Sequence, residues 1–264
     1  MKNISLTLSI VIPVYNEGRY LKSCLDSIAK QTVKPDEVIV VDNNSTDNSL
    51  DIARQYGFVK ILHEKRQHQV FAQATGFNAA KSDILGRIDG DSILPEEWVY
   101  KTKKAFEDKD VVAVTVGADP YDVPLKWISV AIFHWYIFTA GLIAGTRLLW
   151  GANCAVRAAA WRSIKSKVLM RPDIWEDYDM SFCLKKLGRV KYIGRLKMGV
   201  SFRAVHTTFT DHTRYQFRSV RTFYLRASLL RLLLFIVLWT LTFVVYPLAA
   251  FDDWLLRLRE KKEN

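Results

Sequence analysis

The sequence predicts an α/β fold with a largely parallel central sheet flanked by helices, and three observations predict it. Short apolar runs that read as buried strands alternate with segments of helical spacing over the first 116 residues. The intervening segments are long enough for crossover helices on both faces of the sheet. Tyr15, Asp42 and Asp89 fall where three of the apolar runs stop, at the carboxyl ends where sheets of this kind bind ligands.

The first apolar run, Leu8 to Val14, ends near Pro13, which cannot donate to a sheet ladder. Tyr15-Asn16-Glu17-Gly18 reads as a turn, and Tyr20, Leu21, Cys24, Leu25 and Ile28 then follow at helical spacing. A second strand from Glu37 to Val41 leads into Asp42-Asn43-Asn44-Ser45-Thr46-Asp47, and Leu50, Ile52 and Ala53 open another helix that Ser45 or Thr46 would cap. Val59 to Leu62 is a third strand, Val70 to Ala80 a helix, Ile84 to Ile88 a fourth strand, Leu94 to Phe106 a helix and Val111 to Val116 a fifth strand. The fourth strand stops at Asp89-Gly90-Asp91, where a turn at glycine can bring two carboxylates toward one point. Two hard oxygen donors suit Mg²⁺ or Mn²⁺ with positions left for a diphosphate, although Asp-Gly is also an ordinary turn dipeptide.

Half of the 264 residues are apolar, which excludes a disordered chain. The formal charge of +11 fits a polyanion, an anionic membrane or a phosphorylated small molecule as partner. Cys24, Cys154 and Cys183 are far apart and form no C-x-x-C pair, so reduced thiols of a cytosolic protein are expected. Ser5, Thr7 and Ser9 alternate with apolar residues at the start of the chain, as in a half-buried strand, and no cleavable targeting segment is evident.

Val11-Ile12-Pro13-Val14-Tyr15-Asn16-Glu17, Val41-Asp42-Asn43-Asn44-Ser45-Thr46-Asp47 and Asp89-Gly90-Asp91, in that order, resemble the nucleotide-sugar half of a family-2 glycosyltransferase of the GT-A fold. The resemblance implies that Pro13, Tyr15, Glu17 and Asp42 hold the base and ribose of the donor. It assigns Asp89 to the donor diphosphate, and Asp89 and Asp91 to a divalent metal. The family often shows A-R-N-x-G before its D-x-D. This chain reads Ala72-Gln73-Ala74-Thr75-Gly76, so a cationic phosphate or base contact is either absent or supplied by Arg66.

Farther on, Trp150 to Arg157 resembles the family's G-x-N loop, which implies acceptor contacts from Gly151 and Asn153. Trp175-Glu176-Asp177-Tyr178 resembles its E-D motif at a helix start, where acids also complement the helix dipole. The resemblance makes Asp177 the catalytic base and gives Glu176 a part in shaping the acceptor site, while His206 is a candidate third metal ligand. Processive members carry Q-x-x-R-W, and the nearest match, Arg218-Ser219-Val220-Arg221-Thr222, has neither Gln nor Trp, which argues against a polymer synthase.

Two stretches are apolar enough to meet a membrane. Trp127 to Thr146 holds 20 residues without Asp, Glu, Lys or Arg, and reads as a helix or helix pair against the membrane surface or the domain, with a plain buried core helix as the alternative. Arg214, Arg218, Arg221, Arg226 and Arg231 lie among apolar residues, as in a basic amphipathic helix at an anionic bilayer, and Leu232 to Ala250 then gives 19 uncharged residues, enough for a membrane helix. The expected organisation is a catalytic domain over 1–213, with a nucleotide-sugar half over 1–118 and an acceptor half over 119–213. A basic segment and C-terminal membrane helix follow over 214–264, with the span at about 232–250.

The function expected from this resemblance is an inverting, Mn²⁺- or Mg²⁺-dependent glycosyltransferase. It would move a sugar from a nucleotide-diphosphate sugar to a hydroxyl or phosphate acceptor, lipid or lipid-linked, at the cell membrane, with the catalytic domain facing the cytoplasm and no nucleic-acid polymer as partner. The competing reading is a non-catalytic membrane-bound nucleotide-sugar-binding or scaffolding protein, which gives no reason for the E-D motif to accompany the D-x-D.

Overall fold

Strand alternation sends Leu8, Ile10, Ile12 and Val14 of β1 (Leu8–Val14) to one face of the sheet and Val11 to the other, and both sets are buried. The computed structural model that shows this describes residues 5–123, 126–202 and 209–241. After β1 come α1 (Leu21–Ala29), β2 (Glu37–Asp42), α2 (Ser49–Arg54), β3 (Val59–His63), α3 (Gln69–Ala79), β4 (Ile84–Ile88) and α4 (Trp98–Ala105). The chain continues through β5 (Val111–Pro120), α5 (Lys126–Ala144), β6 (Asn153–Arg157), α6 (Ala158–Ile164), α7 (Glu176–Leu184), β7 (Arg189–Val200) and α8 (Phe209–Arg226). A further helix, α9, is described over 229–241.

The strands form one sheet in the order β3-β2-β1-β4-β6-β5-β7. The pairs β1–β2, β1–β4, β2–β3 and β5–β7 are parallel, whereas β6 runs antiparallel to both β4 and β5. The expected α/β sheet flanked by helices is therefore present, mostly parallel but mixed. One core cluster gathers α1, Ala53 of α2 and α4 against one face, and another gathers α3, α6 and α7 against the other. Because β2 and β4 flank β1 on opposite sides, the chain reverses direction across the sheet there and opens a crevice at the strand ends.

Several local details differ from the sequence reading. Neither Ser45 nor Thr46 caps α2; Asp47 Oδ1 instead accepts from the amide and hydroxyl of Ser49. The segment expected as a loop at Trp150 to Arg157 enters the sheet as β6 from Asn153 onward, and α4 starts only at Trp98, because Ile93 is bridged to Gly199 and Pro95 to Trp98 form a turn in which the Trp98 amide donates to the Pro95 carbonyl.

Trp127 to Thr146 forms one helix rather than two. It closes with Gly145 in the left-handed region at φ 71°, the Gly145 amide donating to Leu142 and the Thr146 amide to Gly141. α5, α7, α8 and α9 share a third cluster in which the rings of Phe223 and Phe235 stack at 3.7 Å. The described part of 214–264 thus packs on α5 and α7. Its arginines are largely turned to the protein: Arg221 pairs with Asp173, Arg226 with buried Asp179, and Arg231 donates to the Ala144 carbonyl. Arg214 and Arg221 nevertheless keep exposed side chains, at 76% and 44%.

Among the described residues no helix is long and apolar enough to cross a membrane. The expected span is described only to residue 241, so 242–250 lies outside the described residues, as does His206.

Candidate active site

Two loops at the carboxyl ends of β1 and β2 interlock before any ligand is considered. Asn16 and Asn44 take left-handed backbone, with φ 54° and 69°, a conformation asparagine tolerates. Asn16 Oδ1 accepts from the Thr46 amide at 2.8 Å, and Ser45 Oγ accepts from the Asn16 amide at 3.2 Å. The β4 turn closes against them: a Cβ on Gly90 would lie 2.9 Å from Glu17 Cγ, so only glycine fits without displacement.

These loops line one part of a cavity of about 580 Å³, and the E-D helix lines another. Pro13, Tyr15, Glu17, Asp89 and Asp91 line the first, and Gly151, Glu176 and Asp177 the second. Expected residues from both halves therefore meet, although Asp89 and Asp177 stand 88 positions apart in the chain.

Two expected residues are not at this surface. Asp42 is 3% exposed, its carboxylate 2.9 Å from His63 Nδ1 and accepting from the Ser45 amide, and Asn43 takes its place on the wall. Asn153, assigned to the acceptor, is fully buried: as the first residue of β6 it points into the core, where Oδ1 accepts from the Trp98 indole at 3.1 Å. Nor does Arg66 replace the missing cation, because both its Nε and Nη2 donate to Glu64 at 3.0 Å, which holds the Glu64 carboxyl down at about 2.

Among the described residues, the arginines that do reach the cavity are Arg87 and Arg218, neither of which was assigned to the site from the motifs. Arg87 sits in the middle of an apolar strand and is 1% exposed; that charge inside a buried run is the signal the sequence held. Its Nη2 donates to Asp89 at 2.9 Å and its Nη1 to Glu176 Oε1 at 3.0 Å, so one guanidinium bridges the D-x-D and the E-D motif. Gln69 Nε2 donates to the same Glu176 oxygen at 2.7 Å. Glu176 is thereby occupied in holding Arg87 and Gln69.

Asp177 accepts from two backbone amides, Gly151 and Tyr178, each at 2.8 Å. Burial and the neighbouring Glu176 push its carboxyl up to about 7, against the opposing pull of Arg87 and the two amides. A carboxylate near neutral pKa, facing a cavity, is placed for proton transfer.

Gly151 serves both residues, because a Cβ there would lie 2.0 Å from Arg87 Nη1. Gly151→Ala is expected to destabilise the protein by about 1–3 kcal/mol through this overpacking. Urea unfolding checks it, with a loss of activity exceeding the loss of folded protein as Arg87 is displaced.

For a metal, the donor set is oxygen only. Asp89 and Asp91 both face the cavity, Asp89 with one oxygen held by Arg87, and this pair fits a hard divalent cation completed by ligand oxygens. No cluster of three or more His, Cys, Asp or Glu that could hold a metal exists among the described residues.

Comparison with known proteins places this geometry. A family model described as glycosyl transferase family 2 matches residues 9–169. The chain is 34% identical over 124 residues to glycosyltransferase GlyG of Streptococcus pneumoniae, covering 45% of this chain and 41% of that protein. It is 27% identical over 213 residues to the glycosyltransferase alr2836 of Nostoc, covering 76% of this chain and 65% of the relative. The chain thus spans less than two thirds of the length of either relative.

Another relative, 35% identical over 44% of this chain and 38% of its own length, is the undecaprenyl-phosphate 4-deoxy-4-formamido-L-arabinose transferase of Serratia proteamaculans. Among solved structures, the mannosyltransferase PcManGT of Pyrobaculum calidifontis, in complex with GDP-Man and Mn²⁺, superposes with a TM-score of 0.65 at 18% identity, over 84% of this chain and 65% of that one. The glucosyl-3-phosphoglycerate synthase of Mycobacterium tuberculosis, with Mn²⁺ and UDP, superposes at 0.58 and 17% identity over 84% of this chain and 80% of that one. At these identities the likeness establishes a shared fold.

Proposed function

The chain belongs to glycosyl transferase family 2, and from that premise we propose that it transfers a sugar from a nucleotide-diphosphate sugar to a hydroxyl or phosphate acceptor, lipid or lipid-linked, by direct displacement with inversion. The observation that carries this reading is the meeting of Asp89, Asp91 and Asp177 in one cavity with the β1 and β2 loops. Asp89 and Asp91 are the residues that would hold a divalent cation, which when bound supplies charge neutralisation for the departing diphosphate.

The rest falls to this chain's own side chains. Tyr15, Glu17 and Asn43 flank the space for the nucleoside. Arg218, which makes no ion pair among the described residues, offers a positive charge to phosphate oxygens in the cavity. Asp177 takes the proton of an acceptor hydroxyl as the oxygen attacks the anomeric carbon, and the Gly151 and Tyr178 amides fix the direction of its lone pairs. For a phosphate acceptor the attacking oxygen is already ionised at neutral pH, and the same carboxylate serves to orient it.

Membrane contact belongs to the proposal, supported by apolar side chains. Trp127, Trp135, Phe138 and Leu142 of α5 are exposed, and so are Leu229, Leu230, Leu233, Leu234 and Val237 of α9. Such a face suits a cell membrane with the site on its cytoplasmic side, where the lipid acceptor would enter. Co-sedimentation with anionic vesicles is expected for the wild type and reduced in a Leu230→Asp, Leu234→Asp double variant; equal binding by both would remove α9 from the contact.

The donor site is tested by thermal stabilisation with UDP, GDP and dTDP, each with and without Mn²⁺. One nucleotide should raise Tm in a metal-dependent manner, and Asp91→Ala should remove the metal-dependent part. No shift with any nucleotide, in folded protein, would favour the non-catalytic reading.

A further inference from the structure

Two cations outside the catalytic cavity meet at one atom. The Ala144 carbonyl, at the end of α5, accepts from Lys185 Nζ at 3.1 Å and from Arg231 Nη1 at 2.8 Å. The two nitrogens therefore lie within about 6 Å of each other, close enough for one phosphate group to bridge them. The dipole of α5 favours a cation at this end, and one would satisfy the carbonyl. Each of the two has more donors than that carbonyl can take, and among the described residues neither side chain makes another hydrogen bond or any ion pair.

Their placement is unfavourable in the protein alone. Arg231 stands in the first turn of α9, where the helix dipole is already positive. Burial, Arg231 and Lys186 together lower the Lys185 ammonium below its ordinary pKa, so like charges face one another there without an acid between them. Gly145 makes room for the guanidinium, because a Cβ there would lie 2.9 Å from both Nη1 and Nη2 of Arg231.

The flanking side chains indicate what carries the anion. Leu142, two positions before Ala144, is 66% exposed, and Leu229 and Leu230, immediately before Arg231, are 71% and 68% exposed. A free phosphate has no use for exposed leucines beside it. A phospholipid presents its phosphate next to its own acyl chains, and cations flanked by apolar side chains match that order.

We propose that Lys185 and Arg231 bind the phosphate of an anionic phospholipid headgroup at the junction of α5 and α9, with Leu142, Leu229 and Leu230 entering the bilayer beside it. The site presupposes the membrane contact of the proposed function, and adds to it the lipid class and the two side chains that select it. In a zwitterionic headgroup the lipid's own ammonium competes for the phosphate, so an anionic lipid is preferred. The formal charge of +11 favours the same surface at long range, whereas this pair acts at one headgroup.

The test uses the full purified chain in flotation with vesicles of phosphatidylcholine, with or without phosphatidylglycerol, at fixed ionic strength. The wild type should prefer the phosphatidylglycerol vesicles, and Lys185→Gln and Arg231→Gln should each reduce that preference by about fivefold, the effect of one cation at a membrane surface. Arg231→Lys keeps the charge and should keep most of the preference. Lys104→Gln removes the same charge from α4, which takes no part in the cluster of α5 and α9, and should leave the preference unchanged. Thermal unfolding reports that each variant is folded, and if Arg231→Gln is not, Lys185→Gln decides.

An unchanged preference in the folded Gln variants, or an equal loss in Lys104→Gln, overturns the site and leaves membrane contact standing. Thermal stabilisation by inorganic phosphate that the Gln variants lose, without any change in their lipid preference, identifies a free-phosphate site and overturns the lipid assignment. Binding of the wild type to neither kind of vesicle overturns the membrane reading and this proposal with it.

Discussion

Asp177→Asn is expected to lower kcat by about a hundred- to ten-thousand-fold toward a hydroxyl acceptor, the range a positioned general base supplies, while nucleotide affinity is unchanged. The expected donor residues come from the ends of β1, β2 and β4 and Asp177 from the start of α7, which is why the two readouts separate. The pH dependence follows from the raised carboxyl. Below a pH of about 7 Asp177 is protonated and cannot accept a proton, so kcat/KM should climb with rising pH through that region and level off above it. Steady-state rates across pH 5 to 9 at saturating donor check the curve, with nucleotide titration of the Asn variant as the companion measurement. Normal turnover by that variant would remove the base assignment.

Arg87→Met is expected to be the most destabilising substitution at the site, by about 3–5 kcal/mol, because it leaves the buried Glu176 carboxylate without its cation. Asp89 is more open to water and contributes less to that penalty. Urea unfolding measures the loss. The double variant Arg87→Met, Glu176→Gln should recover part of it, because the uncompensated charge is gone, and a strictly additive cycle would show that the pair is not coupled.

Arg87 also opposes the upward shift of Asp177, so in whatever fraction of Arg87→Met remains folded the midpoint of the pH profile should move to higher pH. A midpoint that stays in place would mean that the arginine acts on geometry alone.

Much of the fold was legible because its signals are local. Five of the seven strands and the helices between them announce themselves by runs of Val and Ile and by the spacing of residues such as Leu21, Cys24, Leu25 and Ile28. The turn motifs at the strand ends were legible for the same reason: Asn16, Asn44 and Gly90 are residue types that a tight turn requires, whatever lies across from them. β6 was not legible as a strand. It is short, follows a glycine turn, and is antiparallel between β4 and β5, so only those neighbours give its residues partners.

The sequence by itself determined the α/β alternation, the positions of Tyr15, Asp89, Asp91 and Asp177, and the family to which their order belongs. Tertiary structure decided what those residues do to one another. It took Asn153 out of the cavity and gave its Oδ1 to Trp98, and it put Arg87 between Asp89 and Glu176. It also left a cavity of about 680 Å³ beside α5 and β5. Periodicity records only which face of its own element a residue occupies. A contact such as Arg87 to Glu176, across 89 positions, exists only once two elements pack, and no local pattern encodes which buried charge will meet which.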